Sequence, residues 1–404
     1  MLRIAIVGGG AAGIMAAIVA KTDKTKVDIF EKNSQIGKKI SISGNGRCNI
    51  SNTNLSIENF SSQNLSFVKE VFKRFGFKDF EAFCKRVGIF LKVEDDGKVY
   101  PLSNSAKSLL EVLKSILDEK GVGIYLESEV KGVKKEDDRF LIEVGNDAKE
   151  YDRVLICCGS YAAEHLGGSL DGYETAKGFG HAIKQIYPSL VQLESPSAIC
   201  KRLAGVKMDA LVSLVGEDRQ TQGDVLFTKY GLSGFAILDM SHYICRDFKD
   251  RSVTISINCL KDYDRSALTG ELLKIKKSHP HYSALTLLSG FVNIKIAKAL
   301  LHQVGIKEDE ELTFLGIKDI KKIANQLLDW RFEVVKSHGF KYAEVCGGGV
   351  DTSQIEPKSM ESKLVKGLYF AGEVLDVVGK RGGFNLAFAW SSGYIAGKHM
   401  KEVR

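Results

Sequence analysis

Near the start of the chain, Gly8-Gly9-Gly10-Ala11-Ala12-Gly13 repeats glycine with GxGxxG spacing. The motif follows a short apolar run at 3–7 and opens an apolar stretch of helical length at 11–20. In that setting the residues suit recognition of a pyrophosphate by main chain. Gly8 permits a tight turn, Gly10 leaves room for the anion to approach the backbone, and Gly13 lets the helix pack closely. The first N–H groups of the helix, those of Ala11 and Ala12 among them, face the phosphates from its positive end. A carboxylate, Glu31, closes a second apolar run at 27–30, 31 − 13 = 18 residues beyond the last glycine. There it accepts hydrogen bonds from both hydroxyls of an unphosphorylated adenosine ribose. Strand, glycines, helix and acid together predict dinucleotide binding, whereas the glycines alone would be equally at home in a structural turn.

The elements around this motif alternate strand, helix and strand, which predicts an α/β protein with a doubly wound parallel sheet. Leu109, Leu110, Leu113, Ile116 and Leu117 keep helical spacing over 105–120. Three β-rich runs, 124–126, 140–144 and 154–158, predict a small meander that returns to the main sheet. The pattern changes after Pro188, with strands at 211–215, 224–227 and 253–257, then helical periodicity from 266 to 330. A strand at 368–371, a glycine loop and a helix at 385–400 complete the chain. The expected division is 1–188 with 341–404 as one discontinuous domain, 189–262 as an inserted β-rich domain and 263–340 as an inserted helical subdomain.

Composition narrows the function classes. Of 404 residues, 26% are charged and 44% hydrophobic, which excludes a disordered chain and a disulfide-stapled miniature. Fifty-seven basic residues against 50 acidic ones leave +7, dispersed without a long run of one sign. That balance suits an anionic ligand and argues against nucleic acid as a partner, because no basic stripe with interleaved aromatics stands out. The eight cysteines are scattered without CxxC spacing, which fits a reducing cytoplasm. The eight histidines form no HxxxH pair, so no metal site is expected. Residues 4–20 mimic a secretory or membrane segment, yet glycines interrupt them and they fall short of the ~20 apolar residues that span a bilayer. A soluble protein without targeting sequence or membrane partner is expected. Its oligomeric state is not legible.

Several further stretches carry a resemblance. They are Gly37-Lys38-Lys39-Ile40-Ser41-Ile42-Ser43-Gly44-Asn45-Gly46-Arg47-Cys48-Asn49, Leu368-Tyr369-Phe370-Ala371-Gly372-Glu373 and Gly382-Gly383-Phe384-Asn385. Gly172-Tyr173 with Gly180-His181, the run from Leu226-Phe227-Thr228 to Gly231-Leu232-Ser233-Gly234, and Gly347-Gly348-Gly349-Val350 extend the likeness over nearly the whole chain. Together they resemble bacterial YhiN/BaiN-type FAD-dependent oxidoreductases, the aminoacetone oxidase-like flavoproteins. The resemblance implies a Rossmann-like FAD-binding domain of the two-dinucleotide-binding flavoprotein type, interrupted by an inserted β-rich plus helical domain. It implies FAD held between the N-terminal motif and the C-terminal glycine loop. Lys32, Gly37, Lys38, Gly46, Arg47, Cys48, Val130, Gly159, Gly372, Glu373, Gly382, Gly383, Phe384 and Asn385 then join the cofactor-binding set. Glu373 is expected to accept from a ribityl hydroxyl, and the helix near Phe384 to aim its N-terminus at flavin N1 and the C2 carbonyl.

Each such residue has a plainer reading. Lys38, Arg47 and Arg381 also suit solvated surface charges. Cys48 sits in a basic, glycine-rich loop that could lower its pKa for redox work, although packing is the commoner role. Cys157 and Cys158 replace the usual Ala-Thr before Gly159, and adjacent strand positions point them to opposite faces of the core. His181, Lys229 and Tyr230 are the proton-transfer candidates, with a buried structural role the default for His181. The expected activity is hydride exchange between flavin N5 and a small organic substrate, in the leading form a reduction of a conjugated ketone driven by NADPH or NADH. Without a second GxGxxG followed by an acid, the nicotinamide would stack only transiently on the flavin. An oxygen-using amine oxidase and a non-enzymatic flavin-bound redox sensor are the alternatives. An RNA-modifying flavoprotein is a further reading, against which the dispersed charge argues.

Overall fold

The opening strand Leu2–Val7 is an almost unbroken apolar run, and its central Ile4, Ala5 and Ile6 are fully buried. A strand of that kind belongs inside a parallel sheet covered on both faces. It pairs in parallel with Thr25–Phe30 on one side and with Arg153–Ile156 on the other. Leu368–Phe370 and Gly123–Tyr125 extend the sheet to five parallel strands. The computed structural model describes residues 1–249 and 251–402. These form two units, Met1–Tyr187 with the segment from Glu344 onward, and Pro188–Ala343.

In the first unit the opening helix Ala11–Ala20 crosses between the first two strands. Of the three runs expected to form the meander only 140–144 does so: the antiparallel meander is Val130–Glu136, Arg139–Val144 and Asp147–Tyr151, whereas Gly123–Tyr125 and Arg153–Ile156 pair in parallel within the main sheet. The closing helix Phe384–Met400 lies against the opening helix through small residues. A methyl group at Gly393 would run into the main chain of Ala12, and one at Gly397 would meet the Ala16 carbonyl oxygen at 2.5 Å. The far end of the closing helix is held by buried Arg153, whose guanidinium donates to the carbonyls of His399, Met400 and Glu402 at 2.9, 2.7 and 2.7 Å. A cation there satisfies carbonyls that have no partner inside the helix.

The second unit is built on a seven-stranded antiparallel sheet. Its order is Trp330–Val334, Val253–Asn258, Lys207–Leu214, Gln220–Thr228, Gly231–Ser233, Leu193–Glu194 and Lys336–Ser337. Helices Arg265–Ser278 and Ile317–Leu328 contribute Leu268, Leu272, Ile320, Ile323 and Leu327 to the core that also holds Phe227, Ile255, Ile257 and Trp330. The β-rich and helical portions read separately from the sequence therefore share one core. The chain between 330 and 337 returns from the helices to both edges of the sheet, which joins them. Among the described residues, no helix is long and apolar enough to cross a membrane.

The small-residue seam gives a direct expectation. Gly397→Val should destabilise the protein by about 1–3 kcal/mol, the usual range for overpacking a tight contact, measured by denaturant unfolding. An unchanged unfolding midpoint would mean that the two helices do not touch.

Candidate functional site

The glycine turn sits where the opening strand ends. Gly8 has φ +112°, a region that side chains avoid, and a β carbon there would lie 2.6 Å from the Cys157 carbonyl oxygen. Its neighbour Gly9 donates its N–H to Glu31 Oε2 at 2.8 Å. Glu31 Oε1 accepts from the Asn33 N–H and Nδ2, at 2.8 and 2.7 Å, so the buried carboxylate sets the shape of both loops. Oε1 is thereby filled, and Oε2 keeps a lone pair for a ligand hydroxyl. Beyond Asn33 opens a cleft of about 580 Å³, lined among others by Lys32, Glu127, Glu129, Tyr161 and Asp171. Val130 starts the neighbouring meander strand and packs on the core.

By contrast, a β carbon at Gly10 would meet nothing within 4 Å, so the space in front of the helix N-terminus is open. The N–H groups of Ala11, Ala12 and Gly13 have no acceptor within the helix. The contacts Ala12–Gly393 and Ala16–Gly397 advance in the same direction along both helices, so both N-termini point the same way. Phe384 lies nine residues before Gly393 and Ala11 one before Ala12, so the closing helix begins eight residues further out, ~12 Å at the α-helical rise. Two positive helix ends, offset along one direction and adjoining open space, suit an extended dinucleotide that carries charge at two places. The observed groups thus fit FAD.

Other expected residues take specific positions. Glu373 follows the edge strand and is held by three donors: Lys39 Nζ at 2.7 Å, Ser160 Oγ at 2.8 Å and the Cys346 N–H at 3.1 Å. Lys39 and Ser160 are thus parts of the site that sequence reasoning passed over, whereas Lys38 turns to Asn33 Oδ1 at 3.0 Å. The only sequence signal for Lys39 was its place in the quoted glycine-rich motif. Gly37 begins the short helix Lys38–Ile42 and donates to the Gly9 carbonyl at 2.8 Å, which ties the two glycine loops together. Gly372 donates to Ser392 Oγ of the closing helix at 2.9 Å. Ahead of that helix, Asn385 makes paired hydrogen bonds to the Gly379 N–H and carbonyl, at 2.8 and 2.9 Å, and Asn52 holds the Gly382 carbonyl at 2.9 Å. Asn385 thus shapes the loop of Gly382 and Gly383, with Phe384 packed edge-on to Phe60.

Arg47 points elsewhere. It donates to Glu94 Oε1 at 2.7 Å and to Asn104, and its guanidinium lies 4.1 Å from the Tyr100 ring centre. Cys48, beside Gly46, is fully buried, and burial pushes its thiol up to about 11, so the low pKa that the basic loop suggested is not realised. Cys157 and Cys158 point apart, towards Gly8 and Gly172, with burial raising both thiols. Gly159 lies just beyond them at φ +82°. His181 is buried against Phe370, with Nε2 2.9 Å from Ser362 Oγ. Ser362 Oγ already accepts from Leu364 and Val365, so its own proton goes to His181, which suits a structural histidine. Lys229 and Tyr230 belong to the second unit, in the turn between strands Gln220–Thr228 and Gly231–Ser233. Among the described residues no three His, Cys, Asp or Glu side chains converge to hold a metal.

Two expectations follow. Because a side chain at position 10 meets only open space, Gly10→Val should leave the unfolding midpoint within about 0.5 kcal/mol while weakening FAD retention by about tenfold or more. Full flavin occupancy in that variant would remove the cradle assignment. Stability should also fall in alkali. Burial holds Cys48 and Cys200 up at about 11 and Cys84, Cys259 and Cys346 up at about 12, against an ordinary value of 9.0. The folded state keeps protons that the unfolded chain releases, so stability is full below about pH 9 and falls as pH rises towards the folded values. A flat denaturation profile across that range would contradict the burial of these thiols.

Comparison with known proteins supports the fold class and an FAD cofactor. The chain is 33% identical over its whole length, and the whole length of the relative, to a 3-dehydro-bile acid delta(4,6)-reductase of Clostridium scindens. It is 32% identical to a ribosomal RNA dihydrouridine synthase of Haemophilus influenzae, covering 96% of each chain. A protein of the same name from Escherichia coli is 30% identical over 98% of this chain and 97% of its own. Among solved structures, 3-ketosteroid-delta4-(5alpha)-dehydrogenase from Rhodococcus jostii RHA1 shares the fold, with TM-score 0.53 and 11% identity over 100% of this chain and 97% of that one. The family model described as HI0933-like protein Rossmann domain matches residues 2–399, and the chain belongs to that family of FAD-dependent oxidoreductases.

Proposed function

We propose that this oxidoreductase reduces a carbon–carbon double bond conjugated with a carbonyl in a ring-shaped organic substrate. The observation that carries the cofactor half is the pair of helix N-termini aligned in one direction and offset by ~12 Å. The first would bind the pyrophosphate through the N–H groups of Ala11, Ala12 and Gly13, with Glu31 accepting from the adenosine ribose. Glu373, fixed by Lys39, Ser160 and the Cys346 N–H, would accept from a ribityl hydroxyl. Bound FAD supplies the hydride at N5. The N-terminus of the closing helix, held by the Asn385–Gly379 and Asn52–Gly382 bonds, would stabilise the negative charge that reduction places on the ring, without moving.

The substrate half is supported by what the two kinds of relative have in common. A delta(4,6)-reductase and a dihydrouridine synthase are both named for a ring double bond that gains or lacks two hydrogens, and in a 3-keto steroid as in uracil that bond is conjugated with a carbonyl. NADPH or NADH would supply the electrons by transient contact. The relatives named for ribosomal RNA also remove the force of dispersed charge as an argument against an RNA substrate.

Anaerobic titration tests this. NADPH or NADH should bleach the flavin band, and 4-androstene-3,17-dione or uridine should restore it stoichiometrically. A flavin that stays oxidised with both nicotinamides, yet is reduced by amines and consumes oxygen, would replace the proposal with an amine oxidase.

A further inference from the structure

Two large apolar side chains of the second unit stand out into solvent. Phe314 is 75% exposed and Ile317 62% exposed, and apart from Met1 no large apolar residue among those described is more open. They flank buried Leu315 in the turn that leads from the short helix Leu312–Phe314 into Ile317–Leu328. Single exposed apolar residues are ordinary, whereas a pair shown from one turn inside a polar rim marks an interaction site.

The turn is held in place from behind. The Leu312 N–H donates to the Tyr282 carbonyl at 2.8 Å and the Thr313 N–H to the Pro280 carbonyl at 2.9 Å. Lys276 Nζ, from the last turn of the helix Arg265–Ser278, donates to the Leu315 carbonyl, and Asp319 accepts from the Gly316 N–H at 3.0 Å. Phe314 and Ile317 are therefore presented on a fixed backbone, which lowers the ordering cost of any contact they make.

Cations surround the pair. The stretches 274–282 and 312–322, which these bonds bring together, hold Lys274, Lys276, Lys277, Lys318, Lys321 and Lys322 against a single carboxylate, Asp319. Asp319 is taken up by Gly316 and Lys322, and the marginal Glu271 and Glu311 by Lys274 and His281. Lys277, Lys318 and Lys321 are exposed and have no carboxylate partner among the described residues. Lys318 follows Ile317 directly, and Lys321 lies one helical turn beyond it on the same side.

The shape of the turn selects its partner. A side chain three-quarters exposed stands above the surface and lines no groove, so it suits entry into a soft phase rather than reception of a peptide. Branched Ile317 offers no flat face for a base to stack on. An apolar wedge with a basic rim supplies the two signals that reversible attachment to a bilayer needs, burial among acyl chains and attraction to anionic headgroups. We propose that the turn 313–318 docks the protein on an anionic lipid surface, with Phe314 and Ile317 entering the acyl boundary and Lys277, Lys318 and Lys321 meeting the headgroup phosphates. The expectation of no membrane partner rested on the lack of a spanning segment, and surface docking requires none. This contact goes beyond the proposed reaction and does not depend on it.

The test sediments the FAD-loaded protein with vesicles of phosphatidylcholine containing phosphatidylserine, and with vesicles of phosphatidylcholine alone. The anionic vesicles should bind it about tenfold or more tightly than the neutral ones, and added salt should narrow that difference. Phe314→Ser and Ile317→Ser should each weaken binding about tenfold with flavin occupancy unchanged, since neither side chain belongs to a core. Leu102→Ser, at an equally exposed position of the first unit, should change nothing. Phe314→Trp adds an exposed reporter to the buried Trp330 and Trp390. Its emission should shift to the blue on anionic vesicles and be quenched by lipids brominated along their acyl chains, which reach only an inserted ring. No binding to the anionic vesicles, binding that both serine variants retain, an equal loss in Leu102→Ser, or Phe314→Trp emission that brominated chains leave unquenched would each overturn the proposal. Polyglutamate and a short RNA test the other occupants. Binding of either as tight as that of the anionic vesicles, and lost in Phe314→Ser, would assign the turn to an acidic macromolecule instead of a bilayer.

Discussion

The close approach of the first and last helices is the contact on which the first unit depends. Ala12 and Ala16 face Gly393 and Gly397, and no larger side chain fits at those glycines without displacing main chain. The contact joins the two ends of the sequence across everything inserted between them. Closing so long a loop costs little more than closing one of half its length, because the entropic penalty grows only logarithmically. The cost falls instead on composition. Both helices must keep small residues where they touch, so their burial comes from neighbours such as Phe388, Trp390, Ile14 and Ile18. Arg153 at the far end keeps the closing helix from fraying away from the sheet.

From that contact follows the placement of charge. Helix ends attract anions only if the loops in front of them hold still, and here two carboxylates hold them. Glu31 fixes the first glycine turn through Gly9 and Asn33, and Glu373 ties Lys39, Ser160 and Cys346 into one knot at the end of the edge strand. Each carboxylate is spent partly on its own protein and still keeps acceptor capacity, which is how a polar site stays preorganised before its ligand arrives. The thiols nearby take no part in acid–base work, because burial keeps them protonated.

Much of this was legible in the sequence where a single period or a single conformational demand ruled. The opening strand, glycine turn and helix were read within a residue or two, because apolar runs and left-handed glycines leave few choices. What escaped were pairings set by tertiary distance. Nothing local says that Lys39 rather than Lys38 reaches Glu373, 334 positions away, or that Arg47 finds Glu94 and the Tyr100 ring. Asn385, joined to the cofactor set by resemblance alone, staples Gly379 through both ends of its carboxamide, a pairing that nothing local announces. The strands at 330–337 were hidden because they follow a long helical stretch, and only their partners across the sheet make Trp330–Val334 extended. Gly347-Gly348-Gly349, which carried only a resemblance, lies in the buried strand Val345–Val350, where Tyr187 fills the space that a side chain at Gly347 would need.

The two units also differ in what their chemistry leaves unfinished. In the first, Glu31 and Glu373 are matched by donors, and what stays open is the main-chain N–H groups at helix ends, which bind any phosphate but distinguish few ligands, beside buried side-chain atoms such as Ser51 Oγ and Tyr173 Oη that have no hydrogen-bond partner. In the second, the unfinished groups are side chains, the exposed Phe314 and Ile317 with solvent-facing lysines around them. Main-chain recognition survives sequence change because every residue carries it, whereas side-chain recognition is rewritten by single substitutions. Cofactor binding in the first unit therefore rests on helix ends and glycine turns, groups that most side-chain changes leave intact.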